Sequence, residues 1–156
     1  MSLFARLMYR ALVWKERQRA QRARVARSRP ASTSSAAHLD TGARGETLAY
    51  WYLRQLGYVI VARNRRARSG AGELDLVGWD GLVLAFVEVK TRTGRAGGPP
   101  EAAVSRGKQK RVARAAKEFM RRLSRKPVTH RFDVVSVTWD PEAGYGVRLI
   151  RDAFKG

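Results

Sequence analysis

Glu73, Asp75, Glu88 and Lys90 fall inside two of the most apolar runs of a chain that is otherwise poor in acids. Two neighbouring carboxylates can hold one hard cation such as Mg²⁺ or Mn²⁺. A cation held in this way neutralises charge on a phosphate and makes a bound water more acidic, which is what cutting a phosphodiester requires. A lysine beside it can orient or deprotonate the water, or stabilise the charge that develops. Asp75, Glu88 and Lys90 supply those parts, with the Val89 carbonyl between the last two. The competing interpretation is a cross-strand salt-bridge cluster in which Lys90 neutralises Glu88.

These residues need a hairpin to bring them together. The runs 73–79 and 82–91 read as strands joined by Asp80-Gly81, a dipeptide that suits a two-residue turn. With that turn, Trp79 faces Leu82 and Asp75 faces Phe86. Asp75 and Glu88 are then diagonal neighbours, about 7–8 Å apart at the backbone. One face carries Glu73, Asp75, Val77 and Trp79 with Leu84, Phe86, Glu88 and Lys90. The other carries Leu74, Leu76, Val83, Ala85, Val87 and Val89. Both faces are largely apolar, so helices should cover the sheet on both sides. A helix over 47–56 precedes the strands, with Glu46 projecting inward at its start and Gly57 after its end. A short strand spans 58–63, and a basic loop follows. A long helix is expected over 101–123, facing inward with Val104, Val112, Ala115, Phe119 and Leu123. Two strands, 132–138 and 147–151, close the domain. The fold class is α/β, with a mixed central sheet flanked by helices on both faces.

The 156 residues carry 32 Lys+Arg against 13 Asp+Glu, a formal net charge of +19, so a polyanion is the natural partner. The absence of cysteine excludes a disulfide scaffold, a thiolate zinc site and a cysteine nucleophile. Two histidines, His38 and His130, are too few for a histidine-based zinc site, and His130 reads as structural. No apolar run approaches the roughly 18 residues of a membrane span. Residues 1–40 form a basic N-terminal extension, helical or disordered, whose 31–37 segment reads as a linker. A transit peptide, an amphipathic helix on an acidic membrane and a basic nucleic-acid-binding tail all fit it. Residues 41–156 form the domain.

The run Gly45-Glu46, Leu56-Gly57-Tyr58, Ala62-Arg63-Asn64, Gly72-Glu73-Leu74-Asp75-Leu76 and Phe86-Val87-Glu88-Val89-Lys90-Thr91-Arg92 resembles the YraN-type uncharacterised bacterial proteins. Pro100-Glu101-Ala102-Ala103-Val104 and Lys108-Gln109 continue the match. Asp75 and Glu88-Val89-Lys90 also resemble the PD-(D/E)XK nuclease signature, although Ser69-Gly70-Ala71 precedes Gly72 and the literal Pro-Asp pair is missing. The resemblance implies a restriction-endonuclease-like core, related by fold to archaeal Holliday-junction resolvases. It implies a Mg²⁺ or Mn²⁺ site held by Glu46, Asp75 and Glu88, with Lys90 completing the catalytic set. The expected function is a metal-dependent endonuclease-like protein acting on DNA, including branched recombination or repair intermediates. The alternative is a nucleic-acid-binding protein that keeps the fold without turnover. Arg63, Arg92 and Arg95 are expected phosphate contacts, and Lys108 either reaches the site or snorkels outward. A cytoplasmic, nucleoid-associated location is expected, and a monomer or a homodimer stays open.

Overall fold

The computed structural model describes residues 3–26, 35–93, 104–140 and 144–156. In chain order the elements are α1 (Leu3–Ala26), α2 (Ser35–Gln55), β1 (Val59–Arg66), β2 (Glu73–Asp80), β3 (Val83–Thr93), α3 (Arg106–Arg121), β4 (Thr129–Asp140) and β5 (Gly144–Phe154). The five strands form one sheet in sequence order. β3 and β4 run parallel, and the other neighbours are antiparallel. A parallel pair needs a crossover, and α3 lies between β3 and β4 in the chain. The result is the expected α/β architecture, a mixed sheet with helices on both faces.

The two faces have separate cores. Val112, Ala115 and Ala116 of α3 pack on Val77, Leu84, Phe86, Phe132 and Val134. Leu48, Ala49 and Leu53 of α2 pack on Leu76, Ala85, Val87, Val135 and Val137. This is the period-two alternation of buried strands meeting the helical period of their covers. α3 starts later than the apolar pattern suggested, at Arg106. Ser105 caps it, its side chain accepting from the Lys108 amide at 3.4 Å. Residues 101–103, expected in that helix, lie outside the described residues.

α2 begins at Ser35, twelve residues before the expected start, and takes in the end of the expected linker. α1 lies against α2. Phe4 meets Trp51 edge-on with ring centroids 5.8 Å apart, and Tyr9 meets Tyr52 at 5.6 Å. Glu16 is buried and pairs with Arg44 of α2, while the Tyr145 hydroxyl of β5 donates to it at 3.2 Å. The first part of the extension is thus an ordered helix against the body. Among the described residues no helix is long and apolar enough to cross a membrane.

The β2–β3 hairpin departs from expectation by two residues. Asp80 pairs with Val83 and Trp79 with Leu84, so Gly81 and Leu82 form the turn. Gly81 takes φ +60 at the first turn position, where a II′ turn favours glycine. Asp80 is held in the strand because its carboxylate accepts from Arg131 at 2.5 Å and pairs with Arg151 at 3.4 Å. A two-residue slip keeps the parity of the side chains, so Phe86 still shares a core with Val77. Leu74 is the exception. It packs with Val77 in the α3-side core rather than with Leu76. The paired positions of β2 and β3 end at Leu76 and Val87, and beyond them β2 no longer follows the ladder.

Candidate active site

The site begins where that ladder ends. Were the pairing to continue by one step, Asp75 would stand opposite Glu88. Instead the Val89 amide donates to Asp75 Oδ2 at 2.8 Å, so a side chain replaces the missing backbone partner. The two carboxylates expected as diagonal neighbours are therefore brought into direct electrostatic contact. Burial pushes the Asp75 carboxyl up to about 6, and the charge of Glu88 adds to the rise. The Val89 hydrogen bond and the Lys108 charge act in the opposite sense. Glu46 also contributes, so α2 brings its acid within electrostatic range of Asp75.

Glu88 is 2% exposed. Its Oε1 lies 2.9 Å from Lys90 Nζ and 3.1 Å from Lys108 Nζ. Its Oε2 is buried and accepts no hydrogen bond among the described residues. A buried carboxylate oxygen with no donor is costly, which makes this atom the natural place for a cation. Lys108 reaches in from the first turn of α3, which decides between the two expectations for that residue. Lys90 and Lys108 are each about three-quarters buried at the side chain, so both charges are partly withdrawn from water.

Glycine sets the approach of α2. A Cβ on Gly45 would overlap the Oγ1 of Thr91 on β3, so only glycine lets the helix lie this close. Glu46 is the next residue, and its position near Asp75 follows from that contact. Among the described residues no three acidic or imidazole side chains gather closely enough to form a ready ligand set. Asp75 and Glu88 fit a divalent cation as a pair, by donor chemistry and by the unpartnered Oε2, and Glu46 acts on Asp75 through its charge.

Of the expected phosphate contacts on arginine, two can be placed, and they lie on different strands. Arg63 is exposed on β1, with its guanidinium 4.6 Å from the Tyr50 ring centroid. Arg92 is half-buried near the end of β3. Arg95 lies outside the described residues. Glu73 pairs with Arg66 at 3.5 Å, at the rim of the site.

A second buried polar group has almost no signature in the sequence. Asp133 is fully buried, accepting from Tyr58 Oη at 3.2 Å, Arg131 Nε at 2.9 Å and the Asp152 amide at 3.0 Å. Burial and the Asp133 charge push the Tyr58 hydroxyl up to about 12. Every oxygen of Asp133 is occupied, and the network ties β2, β4 and β5 to Tyr58, the residue just before β1. Its only sequence signal is an acid inside the apolar run Phe132-Asp-Val-Val.

Comparisons with known proteins give a family. The model of the uncharacterised protein family UPF0102 matches residues 45–137. A UPF0102 protein of Symbiobacterium thermophilum is 50% identical over 113 residues, 72% of this chain and 94% of the relative. One from Koribacter versatilis is 45% identical over 120 residues, 75% of this chain and 80% of the relative. A third, from Rhodococcus opacus, is 43% identical over 117 residues, 75% of this chain and 98% of the relative. The family match begins at Gly45, the glycine packed on Thr91, and includes Glu46, Asp75, Glu88, Lys90 and Lys108.

Proposed function

The chain belongs to the uncharacterised family UPF0102, and from that premise we propose that it is a metal-dependent nuclease-like protein acting on DNA, with branched recombination or repair intermediates among its substrates. The observation that carries this reading is the pair Asp75 and Glu88, two carboxylates in mutual repulsion with a buried, donor-free oxygen between apolar strands. We read the sheet with its acid-bearing hairpin and flanking helices as a restriction-endonuclease-like core.

A bound Mg²⁺ or Mn²⁺ would supply charge neutralisation at the phosphate and a more acidic water. Asp75 and Glu88 would hold it, with Glu46 as a further acid. Asp75 is held by the Val89 amide, which fixes one carboxylate oxygen against β3. Lys90 follows Glu88 by two residues on β3, and its Nζ lies 2.9 Å from Glu88 Oε1. It stabilises charge on the non-bridging phosphate oxygens or orients the attacking water, whose oxygen forms the new bond to phosphorus as the bond to the leaving sugar oxygen breaks. Arg63, Arg92 and Arg95 steer the backbone by charge, in a chain of net charge +19. The site asks for a nucleic-acid partner and requires no membrane, and a nucleoid-associated place in the cytoplasm accords with such a substrate.

A second reading, a nucleic-acid-binding protein without turnover, is favoured by the two lysines already neutralising Glu88. Incubating the protein with linear, nicked, flapped and four-way DNA in Mg²⁺, Mn²⁺ or EDTA separates the two. Cation-dependent cleavage of any of these supports the nuclease. Binding to all of them without cleavage in any cation supports the second reading.

A further inference from the structure

A cleft of about 370 Å³ opens between β1 and the second half of α3, on the flank of the proposed site. Its lining is apolar at Leu74, Phe119 and Leu123 and basic at Arg65, Arg66 and Arg122, while the guanidinium of Arg63 stacks on Tyr50 instead. Those three arginines line it beside a single carboxylate, Glu118. That carboxylate is already engaged by the Arg68 amide at 2.9 Å, the Ser69 hydroxyl at 2.6 Å and Arg122 at 2.8 Å. Leu74 in the floor is the chain neighbour of Asp75.

The cleft does not stand alone. A second hollow of about 320 Å³ shares Arg66 and Ala67 with it and is lined further by Gly72, Glu73, Lys108 and Arg111. Lys108 is the residue that touches Glu88. A continuous basic path therefore leads from the carboxylates, past Lys108 and Arg111, to the apolar floor at Phe119. Along α3 from Lys108 to Phe119 the path is about 16 Å long.

We propose that this cleft binds an unpaired nucleotide of the DNA strand whose backbone crosses the Asp75–Glu88 site. The inference rests on the nucleic-acid reading above and adds the substrate class, DNA with a single-stranded segment. An apolar floor ringed by arginines fits a ligand that is flat and apolar in its body and anionic at its edge. An unstacked base with its flanking phosphates has that form. A duplex presents its backbone and the edges of its bases but keeps the base faces stacked, so it offers Leu74, Phe119 and Leu123 no flat apolar face to cover.

The test uses the full chain in EDTA, so that cleavage plays no part. A single-stranded oligonucleotide carrying one 2-aminopurine and the same sequence as a blunt duplex are titrated at several salt concentrations. The single strand is expected to bind more tightly at equal salt, with a change in 2-aminopurine emission as the base enters the cleft. Arg65→Ala with Arg66→Ala, both at exposed positions, should make the salt slope for the single strand shallower by about 0.7 for each phosphate no longer neutralised, about 1.4 for two. Phe119→Leu should diminish the emission change while circular dichroism stays native. Equal affinity for strand and duplex, with silent emission and an unchanged slope in the arginine variant, overturns the proposal. Cleavage in Mg²⁺ or Mn²⁺ is scored separately: a wild type that selects single strands but never cuts refutes the nuclease and leaves the cleft standing. A wild type that cuts but shows no strand preference does the reverse.

Discussion

The Val89 amide donates to the carboxylate of Asp75 at the point where β2 leaves the β3 ladder, with Leu76 and Val87 as the last paired residues. One hydrogen bond thus closes the ladder and holds an acid against Glu88 at the same time. The same contact explains why a buried acid is tolerated there, since a carboxylate that accepts a backbone amide recovers part of its lost hydration.

The raised Asp75 carboxyl gives a pH signature in cation-free protein. A carboxylic acid lifted from 3.8 to about 6 favours the folded state when protonated, so stability falls as pH climbs between those values and levels off above. Asp75→Asn keeps an acceptor for the Val89 amide and removes the charge. In EDTA it should be more stable than wild type above pH 6, by on the order of 1–2 kcal/mol after allowing for the partial exposure of the site, and indistinguishable near pH 4. Urea unfolding at the two pH values measures the gap, and a gap of the same size at both would refute the assignment.

Lys90 and Lys108 share one carboxylate oxygen, so their contributions should not add. Lys90→Ala alone leaves Lys108 in place, and its stability loss should be small, about 1 kcal/mol or less. Losing both lysines leaves Glu88 buried and uncompensated, for a loss of about 3–5 kcal/mol. Mn²⁺ should recover much of the double variant's loss if Glu88 is a ligand. Single Lys90→Ala should suppress cleavage while keeping Mn²⁺ binding, because an ammonium is no ligand. Thermal melts of Lys90→Ala, Lys108→Ala and the double variant with and without Mn²⁺ provide the comparison, and additive losses would contradict the shared oxygen.

Gly45 should resist replacement. Gly45→Ala drives a methyl into Thr91 and should destabilise the protein by about 1–3 kcal/mol, as overpacked cores do. Thr91→Ala removes the overlapping oxygen and leaves a Cβ about 3.0 Å away, so the double variant should regain part of the loss. A double-mutant cycle by chemical denaturation gives the coupling, and zero coupling would mean that α2 is not set by this contact.

Much of this architecture is legible in the residues alone. The apolar alternation of Leu76, Val77, Ala85, Phe86 and Val87 specifies a strand pair covered on both faces, because a half-exposed sheet would show polar residues on one side. The acids at 75 and 88 stand out against that background. The hairpin register is not legible, because Asp80-Gly81 and Gly81-Leu82 both make good turns and the choice falls to Arg131, 51 residues away. Leu74 is misplaced by the pattern for a related reason: alternation describes a strand that stays in its ladder, and β2 leaves it at Asp75. The start of α2 is hidden because 35–44 carry no strong apolar period, while packing by α1 through Glu16 and Arg44 stabilises the helix from outside its own sequence. Lys108 can be placed on the inward side of α3, but its contact with Glu88 depends on a helix start that Ser105 sets.

Whether Asp75 and Glu88 together hold one divalent cation is decided by a Mn²⁺ titration followed by electron paramagnetic resonance. Wild type, Asp75→Asn and Glu88→Gln are compared at pH 7.5, an assay condition well above the titration of Asp75, where about 6 marks its midpoint. The expected result is one saturable Mn²⁺ site in the wild type, weakened at least tenfold in each variant, with DNA binding retained or tightened because negative charge facing phosphate has been removed. Equal Mn²⁺ binding by all three proteins would place the cation elsewhere and leave the carboxylates as a salt-bridge cluster with Lys90 and Lys108.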